Sequence, residues 1–152
     1  MFTMSLRKQF QTMGNVFMGG ILRSPLHALL SRNTLLITFK GRRSGKQYST
    51  PVNYALVGDL IYVTSMKDRT WWRNLRGGAQ VTLRLQGKKV TGWGEVIEDV
   101  DRVGSSLLAY LRTSPNFARY FEVAVDSEGH LVEADVARAA RPRVMVKIKK
   151  DG

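Results

Sequence analysis

The chain has 152 residues, 43% of them hydrophobic, and no cysteine. That length and apolar content suit a single domain with one core and exclude a disordered chain, while the missing thiols exclude disulfides, thiolate zinc sites, iron–sulfur clusters and cysteine nucleophiles, and fit a cytoplasmic location. Lys and Arg number 24 against 12 Asp and Glu, a formal net charge of +12 that favours an anionic partner without choosing between nucleic acid, a membrane surface and a polyanionic small molecule.

Leu6, Phe10, Met13 and Phe17 fall on one face of a helix that Gly19-Gly20 ends. Ser24-Pro25 reads as a cap followed by proline at the first helical position of a short helix through about Leu30. The two helices, within residues 1–32, are expected to pack on the domain or cover a pocket. A peripheral membrane contact through the basic first helix is the sharper alternative. No run approaches the roughly 20 apolar residues that span a bilayer.

Thr34 to Lys40 is a β-rich run, stopped by the turn composition Gly41-Arg42-Arg43-Ser44-Gly45-Lys46. Strands from Tyr48 to about Val57 and from Leu60 to Thr64 follow, divided by Gly58-Asp59, so the three form a meander. Thr70 to Arg76 is expected to be a short helix ended by Gly77-Gly78. Ala79 to Gln86 alternates, with Val81, Leu83 and Leu85 on one face, and Gly87-Lys88 turns it into a strand from Lys89 to Glu98. A helix is expected over Asp99–Leu111, a second from the Ser114-Pro115 signal through about Val123, and a third over Val132–Ala140. Val144 to Ile148 is a last strand that returns to the sheet. About six strands joined largely by hairpins, with short helices, predict a mostly β, α+β chain whose antiparallel sheet curls into a barrel.

Four segments could carry chemistry. In Gly41–Lys46 the glycines allow a tight turn with exposed N–H groups, and Arg42, Arg43, Lys46 and the Ser44 hydroxyl suit phosphate or carboxylate. It is not a P-loop, because the glycine spacing is one residue short and Gln47 stands where a magnesium-binding hydroxyl belongs; a plain solvated turn is the alternative. Of the adjacent Trp71 and Trp72, followed by Arg73 and Asn74, one can anchor the core while the other covers a flat ring, or both can be core. Ser65-Met66-Lys67 leaves a strand beside Trp71, and Phe117 and Tyr120, three apart, could wall a pocket or pack in the core. His27 and His130 have no acidic partners at ligand spacing, so no metal is expected. With no nucleophile–base pair, any catalysis is expected to be carried by a cofactor.

The order Arg23-Ser-Pro-Leu-His27, Leu35-Leu36, Gly41-Arg-Arg-Ser-Gly-Lys46, Pro51, Val63-Thr-Ser65, Trp71-Trp-Arg-Asn-Leu75 and Val81 resembles the deazaflavin-dependent nitroreductase family, split β-barrel proteins related to pyridoxamine-phosphate oxidases. The resemblance covers most of the chain. It implies the coenzyme F420, with a phosphate and an oligoglutamate tail, and hydride transfer to quinones, nitroaromatics or other activated acceptors. It also implies an oxidoreductase whose partners are a small-molecule cofactor and acceptor, in a monomer or weak homodimer. The tail would lie along Arg42, Arg43, Ser44, Gly45 and Lys46, with Trp71 as a wall for the ring and Asn74 nearby. Backbone around Val63, Thr64 and Ser65 and the strand from Pro51 would hold the ring edge, and Ser65 and Tyr120 are candidates for the hydrogen bond or proton at the acceptor.

The chain departs from its relatives at places expected to touch the cofactor. Several of them carry arginine where Tyr48 stands, tyrosine at Asn53, and lysine at Met66, for which Lys67 could substitute. FMN therefore stands as the alternative cofactor, and a non-catalytic module binding FMN or a lipid as the alternative function. A nucleic-acid-binding barrel is not expected, because the cations are scattered and no nucleic-acid motif is present.

Overall fold

The computed structural model describes residues 34–152; the two helices expected before Thr34, with Arg23-Ser-Pro-Leu-His27 and any membrane contact through them, lie outside the described residues. Six strands follow: β1 (Thr34–Lys40), β2 (Gln47–Val57), β3 (Leu60–Met66), β4 (Ala79–Leu85), β5 (Lys88–Ile97) and β6 (Arg143–Lys150). They form a closed ring in the order β1-β2-β3-β6-β5-β4, every neighbouring pair antiparallel. Alternation dictates the closure. Leu35, Ile37 and Phe39 of β1, Ile61 and Val63 of β3, Val81 and Leu83 of β4, and Val144, Val146 and Ile148 of β6 fill the barrel interior.

Two seams of this ring are short. The β1–β4 seam is short, holding only Leu36 to Arg84, Ile37 to Leu83 and Thr38 to Thr82. The β2–β3 pairing runs from Val57 and Leu60 only as far as Tyr54 and Val63. Past that rung β2 continues along β1 and β3 along β6, so the facing edges of 51–53 and 64–66 part company.

Between β5 and β6 the chain leaves the barrel to form α1 (Val100–Thr113) and α2 (Glu133–Ala140). Asp99 caps α1, its carboxylate accepting from the Arg102 N–H at 3.1 Å. A second core lies under these helices, where Val103, Leu107, Tyr110 and Leu111 meet Val136, Ala139 and Ala140 and the outward side chains Ala55, Ile97 and Met145 of the wall. Among the described residues, no helix is long and apolar enough to cross a membrane.

The expected helix from Ser114 to Val123 does not form. Only Pro115–Phe117 closes a 3₁₀ turn, and the Ser114 side chain makes no capping bond. The segment continues on i→i+3 bonds (Tyr120 to Phe117, Phe121 to Ala118, Glu122 to Arg119) and ends with Glu122 left-handed at φ 56°. The Val123 N–H then reaches back to the Ala118 carbonyl at 2.9 Å, the six-to-one bond of a Schellman ending. Turns win over a helix here because Phe117 and Phe121 both converge on Tyr110, with ring centroids 6.0 and 5.9 Å away. The Thr70–Arg76 helix is likewise a 3₁₀ turn, Trp71–Leu75.

Gly78 tests the turn that leads from this segment into β4. Its φ is +91°, and an added Cβ would lie 2.6 Å from the Trp93 indole. Gly78→Ala is expected to destabilise the protein by about 1–2 kcal/mol from backbone strain alone. A urea midpoint equal to wild type would show that the turn relaxes freely.

Candidate functional site

The turn between β1 and β2 is locked by its own sequence. A Cβ at Gly41 would fall 2.7 Å from the Tyr48 ring and 2.8 Å from the Ser44 Oγ, so the backbone passes where only glycine fits. The Gly41 N–H donates to the Lys46 carbonyl at 2.8 Å, Gly45 to Gly41 at 2.9 Å, and Lys46 to the Ser44 Oγ at 3.2 Å. The Arg42 N–H donates to Asn74 Oδ1 at 3.0 Å. These four amides are therefore committed within the fold, contrary to the expectation of a turn that offers its N–H groups. The turn also carries cationic side chains.

Those side chains are in place. Arg42, Arg43 and Arg73 line a cavity of about 520 Å³ whose apolar wall includes Phe39, Tyr48 and Trp71. The rings are in sequence, Tyr48 to Phe39 at 6.1 Å and Phe39 to Trp71 at 5.9 Å. None of the three guanidiniums forms an ion pair among the described residues. Ser44 reaches the cavity with its hydroxyl 3.2 Å from the Tyr48 hydroxyl. Gly45 and Lys46 are exposed on the same turn but do not line the cavity. Unpaired guanidiniums at the rim of an aromatic-walled cleft suit an anion attached to a flat group.

Asn74 holds the turn to the rest of the site. Its Oδ1 takes the Arg42 amide, and its Nδ2 donates to the Trp71 carbonyl at 3.0 Å. It positions the basic turn against the Trp71 segment.

A second cavity, about 390 Å³, opens where β2 and β3 part, between Pro51, Val52 and Asn53 on one side and Thr64, Ser65 and Met66 on the other. Trp71 lines both cavities. Its indole is only 2% exposed, and Nε1 donates to the Ser65 Oγ at 3.0 Å. Trp71 thus presents an edge of a buried ring at the junction rather than a free stacking face. Trp72, also 2% exposed, is in the barrel core with Arg76 over its ring at 5.0 Å.

Ser65 accepts from Trp71 and donates its own proton to the Met66 carbonyl at 3.2 Å, which leaves it a lone pair to offer. Thr64 carries a buried Oγ1 with no partner. Val63 is fully buried, with backbone pairing to Tyr54 and to Val146, so it is the last closed rung before the cleft. Tyr120, 79% exposed, lines the second cavity, whereas Phe117 packs toward Tyr110 and lines neither. Lys67 is exposed beside the cleft but not on its lining.

The sequence reading missed Arg69 and Arg143, both on the lining of the second cavity. Arg143 is the β6 partner of Met66, a non-local pairing that no local motif announces. Its guanidinium sits 4.7 Å over the Phe121 ring and donates to the Ala139 carbonyl at 2.8 Å. His130 stays apart, in an exposed loop 3.8 Å from Asp126 and 3.5 Å from Glu128. No group of His, Cys, Asp and Glu that could hold a metal occurs among the described residues.

With this geometry in hand, a family model described as F420H(2)-dependent quinone reductase matches residues 25–128. The fold is similar to that of the FAD and heme binding protein from Mycobacterium smegmatis, at 16% identity and a TM-score of 0.51, over 84% of this chain and 70% of that one. It is also similar to a protein from Listeria innocua provisionally assigned as a pyridoxamine 5′-phosphate oxidase, at 15% identity and a TM-score of 0.51, over 84% and 90% of the two chains. At these identities the likeness is one of fold. Comparison with curated protein sequences gives no match.

Proposed function

The chain belongs to the F420H2-dependent quinone reductase family, and from that premise we propose that it binds F420 across its two adjoining cavities and reduces an activated acceptor such as a quinone or nitroaromatic. The observation that carries this reading is the parting of β2 and β3 beside a basic cleft, with Trp71 common to both cavities. The phosphate and glutamate tail would lie along Arg42, Arg43 and Arg73. The ring would enter between 51–53 and 64–66, where strand edges that no longer pair with each other can meet its polar rim, as can the buried, unpartnered Thr64 Oγ1.

When bound, F420H2 supplies a hydride. The chain's residues hold and orient both molecules and keep water from the junction. Reduction of a quinone to its quinol needs one proton besides the hydride. Tyr120 is the candidate source, since its hydroxyl is exposed and lines the cavity while the Ser65 proton is engaged by Met66. Ser65 would then act as an acceptor or as the holder of Trp71.

The test is a titration of the purified chain with F420 and, separately, FMN, followed by tryptophan and cofactor fluorescence at two salt concentrations. F420 is expected to bind more tightly than FMN, with salt-sensitive affinity, and the reduced form to be oxidised on adding a quinone. FMN binding alone would retain the site and change the cofactor; binding of both without turnover would favour the non-catalytic module.

A further inference from the structure

Two arginines and no carboxylate line the cavity between β2 and β3. Arg143 is the better placed. It is half-buried at the start of β6, stacked on Phe121 and bonded to the Ala139 carbonyl, so its charge is held in one position. No carboxylate of the described residues lies within 4 Å of it. Residues 1–33 contain no Asp or Glu at all, so the preceding segment cannot supply one. Burial works against the charge, and only the more distant Glu122 offsets this. A guanidinium fixed beside a cavity, with one N–H on a carbonyl and other donors to spare, lacks an anion. Thr64, whose buried Oγ1 has no partner, is on the lining of the same cavity.

Building on the reading above, we propose that Arg143, with Arg69, selects an acceptor bearing a carboxylate or sulfonate, so that the substrate class is an anionic quinone or nitroaromatic rather than a neutral one. The guanidinium fork pairs with the acid group, and the ring of the acceptor lies toward Trp71 and the cofactor. Arg143 acts here as a specificity residue.

The experiment compares binding of 1,4-naphthoquinone-2-sulfonate and 1,4-naphthoquinone by calorimetry, to the full chain alone and saturated with oxidised F420. Wild type should prefer the sulfonate by roughly tenfold, one charge-assisted pair's worth. Arg143→Met, which keeps an apolar stem over Phe121, should abolish that preference in the cofactor-free protein. Arg143→Lys, which keeps the charge and loses the fork, should retain part of it and decides the matter if the methionine variant does not fold. Arg43→Ala should keep the preference in full. The proposal is overturned by equal binding of both quinones to wild type, by a preference that survives both Arg143 variants, or by its loss in Arg43→Ala, which would assign the anion to the basic cleft. A matching loss of F420 affinity in the Arg143 variants would assign Arg143 to the cofactor and also overturn it. Sulfonate preference in the cofactor-free protein separates this idea from the F420 reading, because it stands or falls whether or not F420 binds.

Discussion

Trp71→Ala is expected to lower stability by about 3–5 kcal/mol, the usual cost of emptying a buried aromatic site, and to abolish cofactor binding at the same time. The indole is 2% exposed, touches Phe39 at 5.9 Å and donates to Ser65. Its removal leaves a hole in the barrel core and strips the wall that, among the described residues, both cavities share. For a chain of this size the melting temperature should fall by roughly 10 °C. Trp71→Phe separates the two roles. It keeps an aromatic wall and gives up the Nε1–H, so it should cost only about 1 kcal/mol beyond packing adjustments and retain binding. Thermal melts and an F420 titration on both variants check this; an alanine variant with wild-type stability would mean that the cavity lining collapses around the gap.

The second large effect is electrostatic. Arg42→Ala with Arg43→Ala should weaken F420 binding by roughly a hundredfold at low salt, about tenfold for each charge-assisted contact removed. Both guanidiniums line the basic cleft, and neither forms an ion pair among the described residues. Both are exposed, so the difference from wild type should shrink as salt is raised and the charges are screened. Lys46→Ala is the internal comparison: on the same turn but off the cavity lining, it should cost far less. Equal losses at Lys46 and at the arginine pair would mean that the turn acts only through its net charge.

Local patterns made most of the barrel readable. Thr34–Lys40 and Ala79 onward alternate or run apolar between turn residues, and their expected limits match β1 and nearly match β4. The Ser114-Pro115 signal misled because a capping pattern states what can start a helix, whereas Phe117, Phe121 and Tyr110 decided where the chain would go. At the site, the basic turn was visible as composition, since glycines and cations sit together in the sequence. The commitment of the Arg42 amide was not, because its partner Asn74 is 32 residues away. Arg143 was hidden for the same reason: only the β3–β6 register sets it opposite Met66.

The short β1–β4 seam and the Asn74 bridge have a joint consequence for how the protein comes apart. Three rungs make that seam the most easily unzipped joint of the ring. The turn that follows β1 and the Trp71–Leu75 segment that precedes β4 flank it, tied by one bond from Arg42 to Asn74. Arg42 and Arg43 stand on one flank and Arg73 on the other, all on the same cleft. A polyanion lying across them would work as a hoop on a barrel, drawing the staves together at their loosest joint. Occupancy and closure would then be one equilibrium: each molecule bound there would reduce the fraction of time the ring stands open, and each opening would release what was bound.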